Sequence, residues 1–402
     1  MHISHRQLFF NHLAQTSDFP LALEIDKAEG VFMYGKDGRR YYDLISGIAV
    51  SNVGHRHPEV LAAINEQLEH YMHLMVYGEF VQSPQVRLAE ALVSTLAVSC
   101  TTPSPFGKID SVYFTNSGTE AVEGAMKLAK RYTGRTEIVS CLNAYHGSTQ
   151  GALSISGAEF FKRNFRPLLP GVRQIRHGIS SDLEKITFRT AAVFIEVIGG
   201  EAGVRMASPE YFQELRKRCS EVGALLVFDE IQTGFGRTGT FWAFEGVDVY
   251  PDIVLSAKGM GGGMPIGAFM ASSSLTEVFR NNPILGHITT FGGHPVCCAA
   301  SLATLQVIQS QKLADEANGK GELIKSLLVH PKIKEVRGKG LMLAAEMESF
   351  EILKPLIDTC IGAGVITDWF LFCDNSMRIA PPLIITEPQI REAIGLIVNA
   401  LD

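Results

Sequence analysis

Between residues 110 and 260 the chain alternates between two patterns. Short β-branched or apolar runs, SVYFT at 111–115, EIVS at 137–140, AAVFIEV at 191–197, ALLVFD at 224–229 and DIVLSA at 252–257, are separated by stretches whose apolar residues recur at helical spacing. That rhythm predicts repeated strand–helix–strand units. The runs are nearly continuous in apolar character, so the predicted class is α/β, with a mostly parallel sheet covered on both faces by helices. Ligands of such sheets bind beyond the carboxyl ends of the strands. The residues that follow each run are therefore the first candidates for chemistry.

The pattern changes at both ends. Residues 1–55 combine a helix-like start with strand pairs such as GVFMYGKDGRRYYDLI, in which KDG is a turn signal. Beyond residue 300 the spacing predicts a long helix over SLATLQVIQSQKLADEANGKGELIKSLL, strands over KIKEVRGKGLMLAAEM and a last helix near EPQIREAIGLIVNAL. We expect an N-terminal segment (1–55) that joins a small domain, a large domain (56–300) and a C-terminal small domain (301–402). No Pro-, Gly- or Ser-rich linker and no internal repeat separates these pieces, so they are expected to pack tightly.

Composition narrows the range of functions. The 402 residues can bury a large core, and 46% hydrophobic with 19% charged residues is ordinary for a soluble protein. The net charge of -6 argues against non-specific nucleic-acid or anionic-membrane partners. No run reaches the roughly 18 apolar residues of a membrane span, and the start, MHISHRQLFFNHLAQ, lacks a signal-peptide core, so a cytoplasmic protein is expected. The seven cysteines are scattered apart from Cys297 and Cys298 and show neither zinc nor disulfide spacing; they read as core thiols.

Three strand ends stand out. After SVYFT, Asn116, Ser117, Gly118 and Thr119 precede a helical pattern, a place where free N–H groups and the positive end of the helix dipole suit a phosphate or carboxylate. The same residues also fit a plain capping box, Ser117 with Glu120. ALLVFD ends in Asp229, a carboxylate that burial penalises unless a cation or strong donor faces it; capping of a following helix is the alternative. DIVLSA ends just before Lys258, where desolvation would lower the amine's pKa and favour attack on a carbonyl carbon. Taken singly, Lys258 reads as a solvated side chain in a glycine-rich loop, because most lysines are solvated and glycine clusters are common in turns. The glycines at 259, 261, 262 and 263 would allow the backbone close to a bound group. Anion cradle, buried carboxylate and strand-end lysine together specify a ligand with a phosphate, a basic ring nitrogen and an aldehyde, and pyridoxal phosphate (PLP) has all three. A nucleotide-binding P-loop, Gly-x-x-x-x-Gly-Lys-[Ser/Thr], does not occur.

The strings NSGTEA, YHG, FDEIQTGFGRTG, PDIVLSAKGMGGGMPIGA, TTFGGHP and RIAPPL occur in the order seen in class III, ornithine-aminotransferase-like, PLP-dependent aminotransferases, and the chain resembles that family over nearly its whole length. The resemblance implies PLP fold type I, with a mostly parallel seven-stranded sheet in the large domain and a smaller α+β domain built from both chain ends. By position it implies Lys258 as the Schiff-base lysine and proton shuttle, and Asp229 as the partner of the pyridine nitrogen. It implies Gln232 as a donor to the cofactor's phenolic oxygen, Tyr145 as the ring stacked on the pyridine, and His146 beside it as a supporting residue. Ser117, Gly118 and Thr119 would hold the phosphate, completed by Thr290 from the neighbouring subunit of a homodimer with shared active sites. Arg378 would grip a substrate carboxylate, and Glu201 would pair with Arg378 and release it on demand.

The chain also departs from the family. Ser148 stands where related enzymes carry an arginine for a distal substrate carboxylate, which leaves either Arg163 or Arg166 to take over or a shorter acceptor such as pyruvate in place of 2-oxoglutarate. Ile48 stands where ornithine-specific enzymes carry a tyrosine, and the segment Glu196-Val197-Ile198-Gly199-Gly200-Glu201 is altered from the usual motif. His55 and His57 have the spacing of two metal ligands on a strand but lack a third, so no metal is expected. The expected activity is ping-pong transfer of an amino group, with an ornithine- or acetylornithine-like or other ω-amino acid as donor and an oxo acid as acceptor. Alternatives are another PLP reaction (decarboxylase, racemase or aminomutase) and, from a different class, a non-catalytic nucleotide-binding protein.

Overall fold

The computed structural model describes residues 4–402. Strands β1 (Ile25–Glu29), β2 (Phe32–Gly35) and β3 (Arg40–Asp43) form an antiparallel meander near the N-terminus, turning at the expected KDG. The main sheet contains β4 (Ser111–Thr115), β5 (Glu137–Cys141), β6 (Val172–Ile175), β7 (Thr190–Glu196), and, after the two-residue pair β8 (Ile198–Gly199) and β9 (Arg205–Met206), β10 (Leu225–Asp229), β11 (Ile253–Ser256) and β12 (Gly267–Ala271). Its order is β4-β12-β11-β10-β7-β5-β6, seven strands of which β12 alone runs against the others.

The continuous apolar runs are explained by burial on both faces. Within β10, Leu225 and Val227 join one core with Phe269 and the helix Gly118–Thr133, whereas Leu226 and Phe228 join the other with Phe212 and Leu215 of the helix Pro209–Val222. Neither face can therefore alternate with polar residues. The β10–β11 edge is fixed by a fully buried ion pair, Arg216 Nη1 to Asp252 Oδ2 at 2.8 Å, with the same carboxylate accepting the Leu226 N–H. Removing one partner would strand the other charge, a loss of about 3–5 kcal/mol.

The remaining strands are β13 (Glu335–Lys339), β14 (Met342–Glu346), β15 (Val365–Ile366), β16 (Trp369–Phe370) and β17 (Cys373–Ile379). They form a second antiparallel sheet, β13-β14-β17-β16, while β15 pairs in parallel with β3 through Val365↔Tyr42 and Ile366↔Asp43. The two chain ends thus share one sheet. The long helix expected beyond residue 300 is two helices, Pro295–Ser310 and Leu313–Leu327, because Lys312 adopts a left-handed conformation (φ 53°) that a continuous helix cannot contain. Helix Glu387–Leu401 is capped by a reciprocal Thr386–Gln389 box. No helix among the described residues is long and apolar enough to cross a membrane.

Candidate active site

The carboxyl ends of β4, β5, β7, β10 and β11 open onto a cavity of about 490 Å³. Its walls include Ser117, Gly118, Thr119, Tyr145, His146, Glu196, Asp229, Gln232 and Lys258, so residues far apart in sequence converge where strand-end reasoning placed them.

At one end the helix Gly118–Thr133 begins. Ser117 is its N-cap, accepting the Glu120 N–H at 3.3 Å, but Glu120 turns its own carboxylate to the Asn116 N–H (2.7 Å), so the reciprocal capping box is not formed. Among the described residues the N–H groups of Gly118 and Thr119 have no protein acceptor, and they lie at the positive end of a sixteen-residue helix. A Cβ on Gly118 would sit 2.8 Å from Ile231 Cδ1 and 3.1 Å from its Cγ2, so a side chain here would have to displace Ile231 from the cavity wall.

Toward the centre, Asp229 ends β10, buried, and its Oδ2 lies 2.7 Å from Nδ1 of buried His146, while Oδ1 accepts the Ile231 N–H. The group of the protein that faces the Asp229 carboxylate is this imidazole, which donates through Nδ1. Burial alone would push His146 down, but the hydrogen bond and charge of Asp229 hold it above its ordinary value; its Nε2 is buried without a partner. Glu196 ends β7 directly beside Asp229 in register and accepts the N–H groups of Tyr145 (3.3 Å) and Gly200 (3.1 Å). Burial pushes its carboxyl up to about 7, helped by Asp229 and opposed by His146. Glu196 is a cavity residue not singled out as such from sequence, although the strand-end rule that found Asp229 would have found it.

Lys258 starts a short 3-10 turn directly after Ala257, with φ 49°. Its side chain opens onto the cavity yet is closely surrounded by protein, and desolvation lowers its amine below the ordinary lysine value against the opposing charges of Glu201 and Asp229. Among the described residues its Nζ has neither a hydrogen-bond nor an ion-pair partner. The glycines that follow serve differently from the expectation: Gly259 is pressed against Asn52 and Gly262 against Thr304, leaving Gly263 as the glycine of this cluster that lines the cavity. Their closeness is to other parts of the protein.

Beside this centre Arg378 and Glu201 are both buried and joined by a bidentate fork, Nη1–Oε1 at 3.0 Å and Nη2–Oε2 at 3.1 Å. Both charges act on Lys258. Asp368, not anticipated, binds the remaining guanidinium edge, Nε to Oδ1 at 2.8 Å, and the Phe370 ring lies 4.4 Å from the guanidinium carbon. No local signal marks Asp368; its partner is reached only across a hairpin.

Ser148 lies in the cavity wall at its exposed rim and bonds the Tyr145 hydroxyl at 3.0 Å, whereas the other expected positions lie outside the walls. Arg166 is paired with Glu159 and Arg163 lies over Phe160, both on the surface, so neither supplies a cation to the cavity. Thr290 is exposed, its carbonyl accepting from His73. His55 pairs with Asp43 at 2.8 Å and His57 caps a helix rather than sharing a strand face with it. The described residues contain no metal-ligand cluster.

These residues fit PLP. Unpaired N–H groups at a helix start suit its phosphate, a carboxylate held by an imidazole suits its ring nitrogen, and an unpaired, desolvated amine suits its aldehyde. The Gln232 amide lies in the cavity wall without a partner among the described residues, free to meet a ligand oxygen.

Residues 13–401 match the Aminotransferase class-III family. The chain is 38% identical to the acetylornithine aminotransferase of Methanopyrus kandleri over 97% of its own length and 96% of that protein's. It is likewise 38% identical to the acetylornithine aminotransferase of Methanosarcina mazei, over 94% and 91%. Among solved structures it superposes on the ornithine aminotransferase of Toxoplasma gondii with a TM-score of 0.89 at 29% identity, covering 98% of this chain and 92% of the other. A PLP-bound amine transaminase from an uncultivated Pseudomonas species gives 0.86 at 28%, covering 97% and 96%. The chain belongs to the class III aminotransferases and is a PLP-dependent transaminase.

Proposed function

We propose that this transaminase takes the terminal amino group of an acetylornithine-like or other ω-amino acid and passes it to a short oxo acid in two separate half-reactions. The observation that carries this reading is the closed fork between Glu201 and Arg378 beside Lys258. With the arginine covered, the subsite next to the reacting amine repels a carboxylate and admits an uncharged chain; with Glu201 displaced it can hold the carboxylate of an oxo acid. The relatives named as acetylornithine aminotransferases support the donor class.

When bound, PLP withdraws electrons from the bond that breaks at the substrate's amine-bearing carbon. Asp229, backed by His146, would keep the proton on the ring nitrogen that this withdrawal needs. Lys258 would hold the aldehyde and would carry a proton between the substrate carbon and the cofactor carbon; burial lowers its amine below the ordinary lysine value, which favours the neutral form that can accept that proton. Tyr145 and Gln232, both in the cavity wall, would meet the ring and its phenolic oxygen. The N–H groups of Gly118 and Thr119, with Ser117, would hold the phosphate.

Pyruvate is favoured over 2-oxoglutarate because Ser148, in the cavity wall, carries no charge for a second carboxylate, and Arg163 and Arg166 are engaged at the surface. A homodimer completes the site. Met72, Phe80, Val81, Ile284, Leu285 and Phe291 are exposed apolar residues on two segments joined where His73 Nε2 donates to the Thr290 carbonyl at 2.8 Å, a surface suited to a second copy. In that arrangement Thr290 reaches the partner's phosphate cradle.

A panel of α-amino acids, ω-amino acids and plain amines, each added to the holoenzyme and followed by loss of the visible cofactor band, tests the donor. Pyruvate and 2-oxoglutarate are then compared in restoring it. Bleaching by ω-amino acids with a carbonyl product, and restoration by pyruvate, are expected. Release of carbon dioxide or of an inverted amino acid alone would overturn the reading.

A further inference from the structure

Arg378 is held by two carboxylates that differ in where they come from. Glu201 lies in the loop that follows β8, in the part of the chain that builds the main sheet, 177 residues away in sequence. Asp368 lies ten residues away, at the start of the hairpin formed by β16 and β17 that carries Arg378 itself. Backbone bonds tie the two together: the Arg378 N–H donates to the Asp368 carbonyl at 2.9 Å, and the Thr367 hydroxyl donates to the Arg378 carbonyl at 2.6 Å. Glu201 is tied to the turn of the same hairpin, its Oε2 accepting the Leu371 N–H at 3.0 Å and its carbonyl the Phe372 N–H at 3.1 Å, so release of Arg378 is a rotation of the Glu201 side chain, which leaves the contact to Asp368 intact. The atoms engaged differ as well. Glu201 occupies Nη1 and Nη2, the fork a substrate carboxylate would need, whereas Asp368 occupies only Nε, on the side of the guanidinium that such a ligand leaves free.

We infer that Asp368 is a positioning residue for substrate selection: it is the resident partner of Arg378, holding the guanidinium over the Phe370 ring so that the Nη fork stays aimed when Glu201 gives way to a substrate carboxylate. The inference rests on the reading of Arg378 as the carboxylate subsite. Without Asp368 the freed guanidinium keeps the Phe370 face and a 3.3 Å contact to the Trp369 carbonyl, neither of which fixes rotation about the last side-chain bonds. Orientation, not net charge, is the service Asp368 provides, and an asparagine oxygen can accept from Nε in the same place, though without the charge.

The test compares D368A, D368N and R378A holoenzymes with the parent on two oxo or amino substrates that carry a carboxylate and on one plain primary amine that does not. Binding of pentanoate, a carboxylate that cannot react, is read by calorimetry. D368A is expected to raise KM for carboxylate substrates and the pentanoate Kd about tenfold, with the plain amine's KM and kcat within about twofold of the parent, and D368N is expected to recover most of the loss. R378A is expected to lose pentanoate binding. If R378A binds pentanoate as the parent does, the carboxylate subsite itself is misassigned and the inference falls with it. If R378A loses binding but D368A does not weaken it, or D368N is as poor as D368A, the subsite stands and the role given to Asp368 is wrong.

Discussion

Oδ2 of Asp229 lies 2.7 Å from Nδ1 of His146, with both side chains buried, so the carboxylate at the end of β10 and the imidazole beyond β5 form one unit. Because His146 is held above its ordinary value of 6.5, folding gains from its proton. That gain is fully present below the unfolded value and is lost as pH rises through the folded one. The urea midpoint of the apoprotein should fall over this range, and in D229N the component due to this pair should vanish. An identical pH profile in the two proteins would contradict the pairing.

Gly118→Ala is expected to weaken cofactor binding. The new methyl meets Ile231 at 2.8 Å, and overpacking of this kind costs about 1–3 kcal/mol, which here falls on the helix start offered to the phosphate. Equilibrium dialysis should show a dissociation constant for PLP raised about tenfold or more; unchanged affinity would remove Gly118 from the cradle.

Glu201→Ala opens the Arg378 fork. Charge-assisted hydrogen bonds are worth about 1.5–3 kcal/mol, so the ratio of kcat/KM for α-amino acids over ω-amines should rise about tenfold or more. Steady-state rates on matched substrate pairs check this. A ratio that does not move would show that Glu201 does not select.

Glu230, next to Asp229, is wholly buried and accepts from the Thr233 hydroxyl and the N–H groups of Ala243 and Phe244, and burial pushes its carboxyl up to about 7. Difference infrared spectra should show a protonated carboxyl band that persists above pH 5 and is lost toward pH 8, and that is absent in E230Q. The sign follows from burial disfavouring the charged form.

Ile284→Asp, at the exposed apolar surface, should give monomers in sedimentation experiments and weaken PLP binding in parallel, since each site would lose the partner's Thr290. A dimer that persists would place the interface elsewhere.

Five of the seven main strands were legible because burial on two faces leaves an unmistakable apolar run. β6 was not, since Val172–Ile175 lies at the sheet edge and carries Arg173 and Gln174, and β12 was not, since it follows glycines that read as loop. Strand ends revealed Asp229, Lys258 and the Ser117 turn. What sequence could not give was pairing across distance: His146 meets Asp229 from 83 residues away, and Asp368 is an ordinary aspartate until the hairpin folds it against Arg378. The break at Lys312 was equally silent, because the apolar spacing continues through it.

The reversed strand β12 acts as a ruler. It lies between β4, which leads into the phosphate cradle, and β11, which leads to Lys258, so the two ends of the cofactor site are held two strand spacings apart, roughly 10 Å. The graduation is set at Gly267, which opens β12 opposite Thr115 and is pressed so closely against the Ser117 carbonyl that no side chain fits. Loops and hairpins around the cavity can drift and change what is accepted. The span of the sheet cannot, which keeps the cofactor's gauge constant while the substrate's is rewritten.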